Sequence, residues 1–387
     1  MVSEEPSWRE YLRGAPENLP YHLAHPEVSF ETYVKERKLA LGRQVLKKTR
    51  IYLDQNYWIY CRQAALGHAR ERAHGDILNA LRHAVQCGKA ICPVGHPVLE
   101  ETLNQSNPNT RAATAKVIDE LSGNVVIEPF PTLTQLELLH FIRSTTQGPG
   151  SVHAAHEMAW TWPLWVMGLA KPNNKALDHA ANLAVQKSFF DATTNLPFSV
   201  LVQCTGSEHR PSVLFDFDGE ESQRAKTEET RRHKHEFQTF EDVFLIEVAG
   251  ILDAMKPELE QAIIDLYKNS TGRCPPIEEV PEAQALLPNL CGIIYSLFKF
   301  DKAGTALPGI RIMAGIHAAI RYRDQPHKKG DMHDHMNARI ALPYCDMFLT
   351  EKNLGNLLTQ SLLRYDDLYH CRILWRDDQI IEVLRQL

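Results

Sequence analysis

Two widely separated fragments of this chain carry acids where a divalent cation could be held. Near the start, Tyr52-Leu53-Asp54-Gln55-Asn56 reads as a strand that delivers an acid and an amide at its C-terminal tip. Far along the chain, Asp331-Met332-His333-Asp334-His335 places acids at a helix start, with the small residues Ala338 and Ala341 one and two turns beyond Asp334. A short apolar strand follows that helix, flanked by Asp346 and by Thr350-Glu351. Glu100 and Glu101 stand just after another apolar stretch in the N-terminal part. Hard cations such as Mg2+ and Mn2+ prefer carboxylate and water oxygens. Three or four carboxylates around one or two such ions suit the hydrolysis of a phosphodiester, whose transition state accumulates negative charge. An open parallel sheet gathers such groups at the carboxyl ends of its strands.

The elements that must position these acids read as strand and helix in alternation. Residues 1–48 form an N-terminal extension, an irregular Pro-containing lead and then a helix over Phe30–Lys48. Thr49–Asp54 is the first strand. Asn56–Leu66 and Ala73–Cys87 have helical periodicity and end at Gly67 and Gly88. Lys89–Val94 is a second strand, Pro97 opens a helix that carries Glu100 and Glu101, Pro108–Leu121 is another helix, and Asn124–Phe130 is a third strand. Short connections between such elements imply a parallel sheet covered on both faces. The rhythm resumes with helices over Ile310–Arg323 and Asp331–Leu342, a strand over Asp346–Thr350, a helix over Leu354–Leu363, a strand over Arg372–Trp375 and a final helix from Asp378.

Between these ends the rhythm stops. Residues 146–305 show helical signals with Gly and Pro punctuation, including an amphipathic stretch over Asp253–Tyr267 and a charged run over Gly206–Glu236. The expected organisation is therefore an extension over 1–48, an α/β domain in two parts over 49–145 and 306–387, and a helical insertion over 146–305. Closure entropy grows only logarithmically with loop length, so a long insertion costs the domain little. Such a lobe is expected near the rim of the acid site, gating substrate entry or carrying partner specificity, with Glu220–Glu236 at its edge. Asp54 and Asp334 are expected to approach one another.

At four places the residues resemble the PIN-like nuclease superfamily. Leu53-Asp54-Gln55-Asn56 is similar to the family's opening strand with its first acid. Cys92-Pro93-Val94-Gly95 followed by Glu101 resembles the strand–helix step with the second acid. Asp334 with Ala338 and Ala341 resembles the helix with the third, and Phe348-Leu349-Thr350-Glu351 the strand ending in Thr and an acid. The resemblance implies a PIN-like parallel sheet flanked by helices. It also implies metal-dependent endonucleolytic cleavage, of RNA in keeping with the family's tendency, through bound Mg2+ or Mn2+. Asp54, Glu101 and Asp334 become the leading ligands, and Asn56 orients an acid or a water. Only one of Glu100 and Glu101 can face the sheet edge, because neighbours on a helix point about 100° apart. The family commonly has an Asp two residues after the Thr, where this chain has Lys352, so Asp331, Asp346 or Glu351 must supply the remaining carboxylate. Lys352, Arg339 or Lys328-Lys329 are then the cations for substrate phosphates.

Composition and the remaining motifs narrow the alternatives. At 44% hydrophobic and 23% charged residues the chain has the balance of a globular protein. No apolar run reaches the roughly 20 residues that span a bilayer, and residues 1–20 lack a signal-peptide core, so no membrane partner and a cytoplasmic location are expected. The eight cysteines include no Cys-x-x-Cys pair, which argues against a zinc ribbon or a disulfide framework. A net charge of −6 gives no global attraction for nucleic acid, but a local basic groove remains compatible with it. His333-Asp334 also admits an HD-type metal phosphohydrolase, which needs an all-α fold. His153-Ala154-Ala155-His156-Glu157 scrambles the zincin order, and Trp160, Trp162 and Trp165 read as packing rather than as a base-stacking platform. Phosphate-binding and nucleophile-elbow glycine motifs are absent. The non-enzymatic alternative is a PIN-fold scaffold with incomplete acids that binds a protein or RNA partner; a nuclease held silent by a regulatory protein is a third.

Overall fold

The computed structural model describes residues 15–147, 153–168, 171–204, 239–271, 281–323 and 331–387. It is mixed α/β and dominated by helix, with parallel strand pairs covered by helices, not the all-α fold of the HD reading. The chain forms two compact units. The first comprises Met1–Glu128, His156–Leu214 and Trp375–Leu387, the second Pro129–Ala155 and Phe215–Leu374. These edges do not coincide with the expected boundaries near 48, 145 and 305, because segment 146–305 is divided between the two units. The charged stretch Glu220–Glu236, Lys328-Lys329 and Cys274 lie outside the described residues.

The first unit begins with α1 (Ala15–Ala24) and α2 (Phe30–Val45), the latter capped by the Ser29 hydroxyl accepting from the Thr32 amide at 3.1 Å. The apolar strand β1 (Thr49–Leu53) leads into α3 (Gln55–Ala65) and α4 (Arg72–Gln86). Ile77, Leu78, Leu81 and Ala84 recur at helical spacing along α4 and are buried. Gly67 and Gly88 follow α3 and α4 with φ of +75° and +73°, conformations that a Cβ would strain. β2 (Ala90–Ile91) pairs parallel with β1, Thr49 opposite Ala90 and Arg50 opposite Ile91. α5 (His96–Leu103) and α6 (Pro108–Ser122) each carry Pro in the first turn.

The third expected strand is shorter than Asn124–Phe130 and is paired on both sides. Gly123 and Asn124 adopt positive φ at its start, and Pro129, which has no amide to donate, closes it. What remains, β3 (Val126–Ile127), makes a parallel bridge to Val94 and an antiparallel pair with β4 (Trp160–Thr161). The sequence pattern does not anticipate β4, since two residues carry no period. Between them lie α7 (Phe130–Gln147), which belongs to the second unit, and α8 (Ala155–Met158). Trp160 and Trp162 are buried, and Trp165, on α9 (Pro163–Val166), packs edge-on to Phe190 with the ring centroids 5.4 Å apart. The tryptophans are packing groups, as expected.

α10 (His179–Thr194) and α11 (Phe198–Cys204) pack on α1 and α6 respectively. Asp191 on α10 ties three elements together: it accepts from Tyr33 Oη at 2.7 Å and from Asn18 Nδ2 at 3.1 Å, and pairs with His22 Nε2 at 3.0 Å. These contacts build residues 156–204 into the first unit rather than into a separate lobe. α19 (Asp377–Arg385) packs against α4 through a face that buries Ile380 and Leu384.

The second unit holds α7 together with α12 (Phe240–Ala254), α13 (Lys256–Thr271), α14 (Pro281–Lys299) and α15 (Pro308–Tyr322) around one apolar core that includes Leu138, Val248, Leu259, Ile294 and Ile310. α16 (Asp331–Tyr344) is followed by β5 (Met347–Leu349), α17 (Lys352–Thr359), α18 (Tyr365–Tyr369) and β6 (Arg372–Leu374). β5 and β6 pair parallel, Phe348 opposite Ile373. The described cysteines are free thiols, and burial pushes that of Cys61 up to about 12. No helix of the described residues is long and apolar enough to cross a membrane.

One buried polar network crosses this second core. Glu137 on α7 accepts from Tyr344 Oη at 2.8 Å and from the Gly309 amide at 3.0 Å. Arg339, 1% exposed, donates to Thr134 Oγ1 at 2.6 Å and lies over the Phe130 ring at 3.9 Å. Burial raises the Glu137 pKa and lowers that of Arg339, and each charge opposes the other's shift. Removing one partner strands the other charge, so Glu137→Ala should lower the unfolding free energy by about 3–5 kcal/mol in urea titration at neutral pH. Glu137→Leu combined with Arg339→Met should cost far less than the sum of the two single changes. Strict additivity would show that the two charges are not coupled.

Candidate metal centre

Asp54 is set by its strand. Ile51, Tyr52 and Leu53 are fully buried, and the chain leaves β1 directly into α3 with Asp54, 2% exposed, at the N-cap. Its backbone is extended, φ −72° and ψ 174°, and Oδ1 accepts from the Tyr57 amide at 3.2 Å. A carboxylate here also favours the positive end of α3. Asn56 sits half-buried in the first turn.

The second acid position depends on α5. The chain leaves β2 through Val94, whose amide donates to Val125 O at 3.2 Å and whose carbonyl accepts from Ile127 N at 2.8 Å. Gly95 is the N-cap of α5, and Val98, Leu99, Thr102 and Leu103 form its buried stripe. Glu100 and Glu101, both half-buried, flank that stripe on opposite sides. Because β1 and β2 run parallel, Asp54 and this pair of glutamates follow the carboxyl ends of adjacent strands. Within the first unit, then, the parallel sheet brings the acid positions of two successive strand–helix steps to one edge.

The remaining expected ligands belong to the second unit. Asp331 and Asp334 occupy the first turn of α16, half-buried, and His335–Leu342 are buried on all sides, which suits the small Ala338 and Ala341. Asp346 and Glu351 lie at opposite ends of β5. Asp346 precedes it, its carbonyl accepting from Arg372 N at 2.9 Å, while Glu351 follows it as the exposed N-cap of α17. Of the two, Glu351 alone is at the carboxyl end of the strand. Thr350 between strand and cap is buried, its amide donating to Leu374 O at 2.9 Å.

Three residues outside the expected set also come together. Glu71, His74 and Asp377 each offer a ligand atom, all within 4.8 Å of one another. Glu71 is the N-cap of α4, His74 lies in its first turn, and Asp377 opens α19. His74 Nε2 stands 3.6 Å from Asp377 Oδ2, and Tyr57 Oη donates to Asp377 Oδ1 at 3.4 Å. Tyr60 stacks flat on the imidazole, with 4.0 Å between centroids and 5° between planes. Burial, then the charges of Asp377 and Asp54, hold the Tyr57 phenol well above its ordinary range, so it stays a donor. The Glu71-x-x-His74 spacing was the sequence signal for two of these residues, since i and i+3 share a helix face. Nothing local signals Asp377. The chain matches no protein-family model, no curated protein and no solved structure.

Asp54 thus has a capping duty that can be separated from its charge. Asn caps a helix about as well as Asp, whereas Ala does not. Urea unfolding should find Asp54→Ala about 1 kcal/mol less stable than Asp54→Asn. Equal stability of the two variants would mean that the cap contributes nothing.

Proposed function

We propose that this protein is a metal-dependent endonuclease of the PIN-like type, hydrolysing phosphodiester bonds in RNA with Mg2+ or Mn2+. The observation that carries the reading is that two adjacent parallel strands, β1 and β2, are each followed by a helix bearing acids: Asp54 after the first, Glu100 and Glu101 after the second. The donors offered are hard oxygens, the kind that Mg2+ and Mn2+ accept. Under this reading Asp54 and Glu101 hold the ion, with Asp334 and one of Asp331, Asp346 and Glu351 completing the catalytic carboxylates. A bound ion supplies Lewis acidity toward the scissile phosphate and lowers the pKa of a water. Asn56, in the first turn after Asp54, orients a neighbouring acid or a water through its amide. Lys352 and Arg339 were the expected phosphate contacts. Lys352 is exposed and available for that role, whereas Arg339 is buried in the network with Glu137 and serves the core instead.

The test is cleavage of single-stranded RNA by purified full-length protein. Activity should require Mg2+ or Mn2+, stop on addition of EDTA and leave 5′-phosphate ends. Asp54→Asn should abolish it while leaving the circular dichroism spectrum unchanged, because the amide keeps the cap and loses the charge. Asp334→Asn should do the same. Cleavage that persists in EDTA or in Asp54→Asn would defeat the carboxylate–metal reading.

A further inference from the structure

We infer that Glu71, His74 and Asp377 form a second cation site, distinct in chemistry from the acids after β1 and β2, which binds Zn2+. Two of its members have an ordinary reason to be where they are, since acids are favoured at helix N-termini with no cation present. His74 does not. Its ring is buried, its side chain 7% exposed, and Nδ1 has no hydrogen-bond partner among the described residues. Nε2 faces the Asp377 carboxylate at 3.6 Å, beyond hydrogen-bond length. Neither ring nitrogen makes a hydrogen bond among the described residues, so the imidazole is open to a ligand, and Nε2 is the nitrogen that faces the acid.

The surroundings are arranged as a metal's neighbours would be. Tyr60 lies flat on the imidazole and so fixes the ring plane, directing its nitrogens edgewise. Tyr57 occupies Asp377 Oδ1 and leaves Oδ2 toward His74. A phenol donating to a ligating carboxylate is the kind of outer contact that orients a ligand and sets its basicity. Zinc bonds of about 2.0–2.2 Å to nitrogen and oxygen place tetrahedral ligands roughly 3.4 Å apart. The three atoms here lie within 4.8 Å of one another, and Glu71 is exposed and free to turn inward. One imidazole with two carboxylates suits a borderline cation, whereas Mg2+ seldom accepts nitrogen and demands near-ideal octahedral oxygen geometry. Three protein ligands leave a fourth position for water. Bound there, the ion would join the start of α4 to the start of α19.

The test uses full-length protein stripped with EDTA and dialysed, titrated with ZnCl2 by calorimetry and followed by thermal unfolding. One Zn2+ should bind per chain and raise the Tm, and a hundredfold excess of MgCl2 should not displace it. Glu71→Gln changes an exposed side chain and should keep the fold while weakening binding by about tenfold or more; His74→Gln should do likewise, and Tyr57→Phe should weaken it by about tenfold. Asp334→Asn should bind Zn2+ as the unaltered chain does, so this site and the nuclease reading stand or fall separately. No binding, or undiminished affinity in both Glu71→Gln and His74→Gln, would overturn the assignment.

Discussion

Asp54 lies at the end of an apolar strand, where a buried carboxylate oxygen without a donor costs on the order of 1–3 kcal/mol or more. It takes the Tyr57 amide, and with that bond the first turn of α3 is set. The direction of α3 then decides where the Tyr57 ring goes, and its hydroxyl ends on Asp377. Tyr60, one turn along, is brought edge-on to Tyr57 and flat against His74. A single helix cap thus positions both the acid after β1 and the phenol and ring that frame the Glu71–His74–Asp377 cluster. Shifting the cap by one residue would turn both tyrosines by about 100° and separate them from their partners.

The second unit is organised differently. Its centre is a pair of opposite charges taken out of water, Glu137 with Arg339, the carboxylate bonded by Tyr344 and Gly309 and the guanidinium by Thr134 and the face of Phe130. Attraction in a low-dielectric interior only roughly offsets the loss of hydration, so such a pair adds little net stability. What it does is select. Gly309 opens α15 and meets the Arg339 guanidinium so closely that a Cβ there would collide with it. These contacts tie α7, α15 and α16 to one another. The acids at the start of α16 inherit their direction from that packing.

Much of the local structure was legible from residue types. Gly67 and Gly88 stop α3 and α4, the prolines open α5 and α6, and the strand at Met347–Leu349 lies inside its expected span. The rest of the fold depends on contacts that no local pattern records. β4 is too short to alternate, and α2 packs on it and approaches the preceding α8 so closely that a Cβ on Gly42 would strike the Glu157 carbonyl. Residues 156–204 read as part of an insertion because their binding partners, α1 and α2, lie more than a hundred residues earlier and meet them through a buried aspartate rather than an apolar stripe. Arg339 looked like a phosphate contact because Arg is seldom so deeply buried, and only Glu137 makes its position tolerable. The Glu71–His74 spacing was visible, but its meaning depends on an acid contributed from a distant helix.

That distant helix has a consequence for synthesis. α19 completes the first unit, yet the whole of Phe215–Leu374 is translated between the middle of that unit and α19. At about 5–20 residues per second, α4 waits roughly 15–60 s on the ribosome before its partner emerges. For that interval α4 lacks one of the helices that pack on it in the finished fold. Contacts so remote in sequence also form slowly once the chain is free. α19 follows the last residue of the second unit, Leu374, by only a few residues, so synthesis completes the two units almost together.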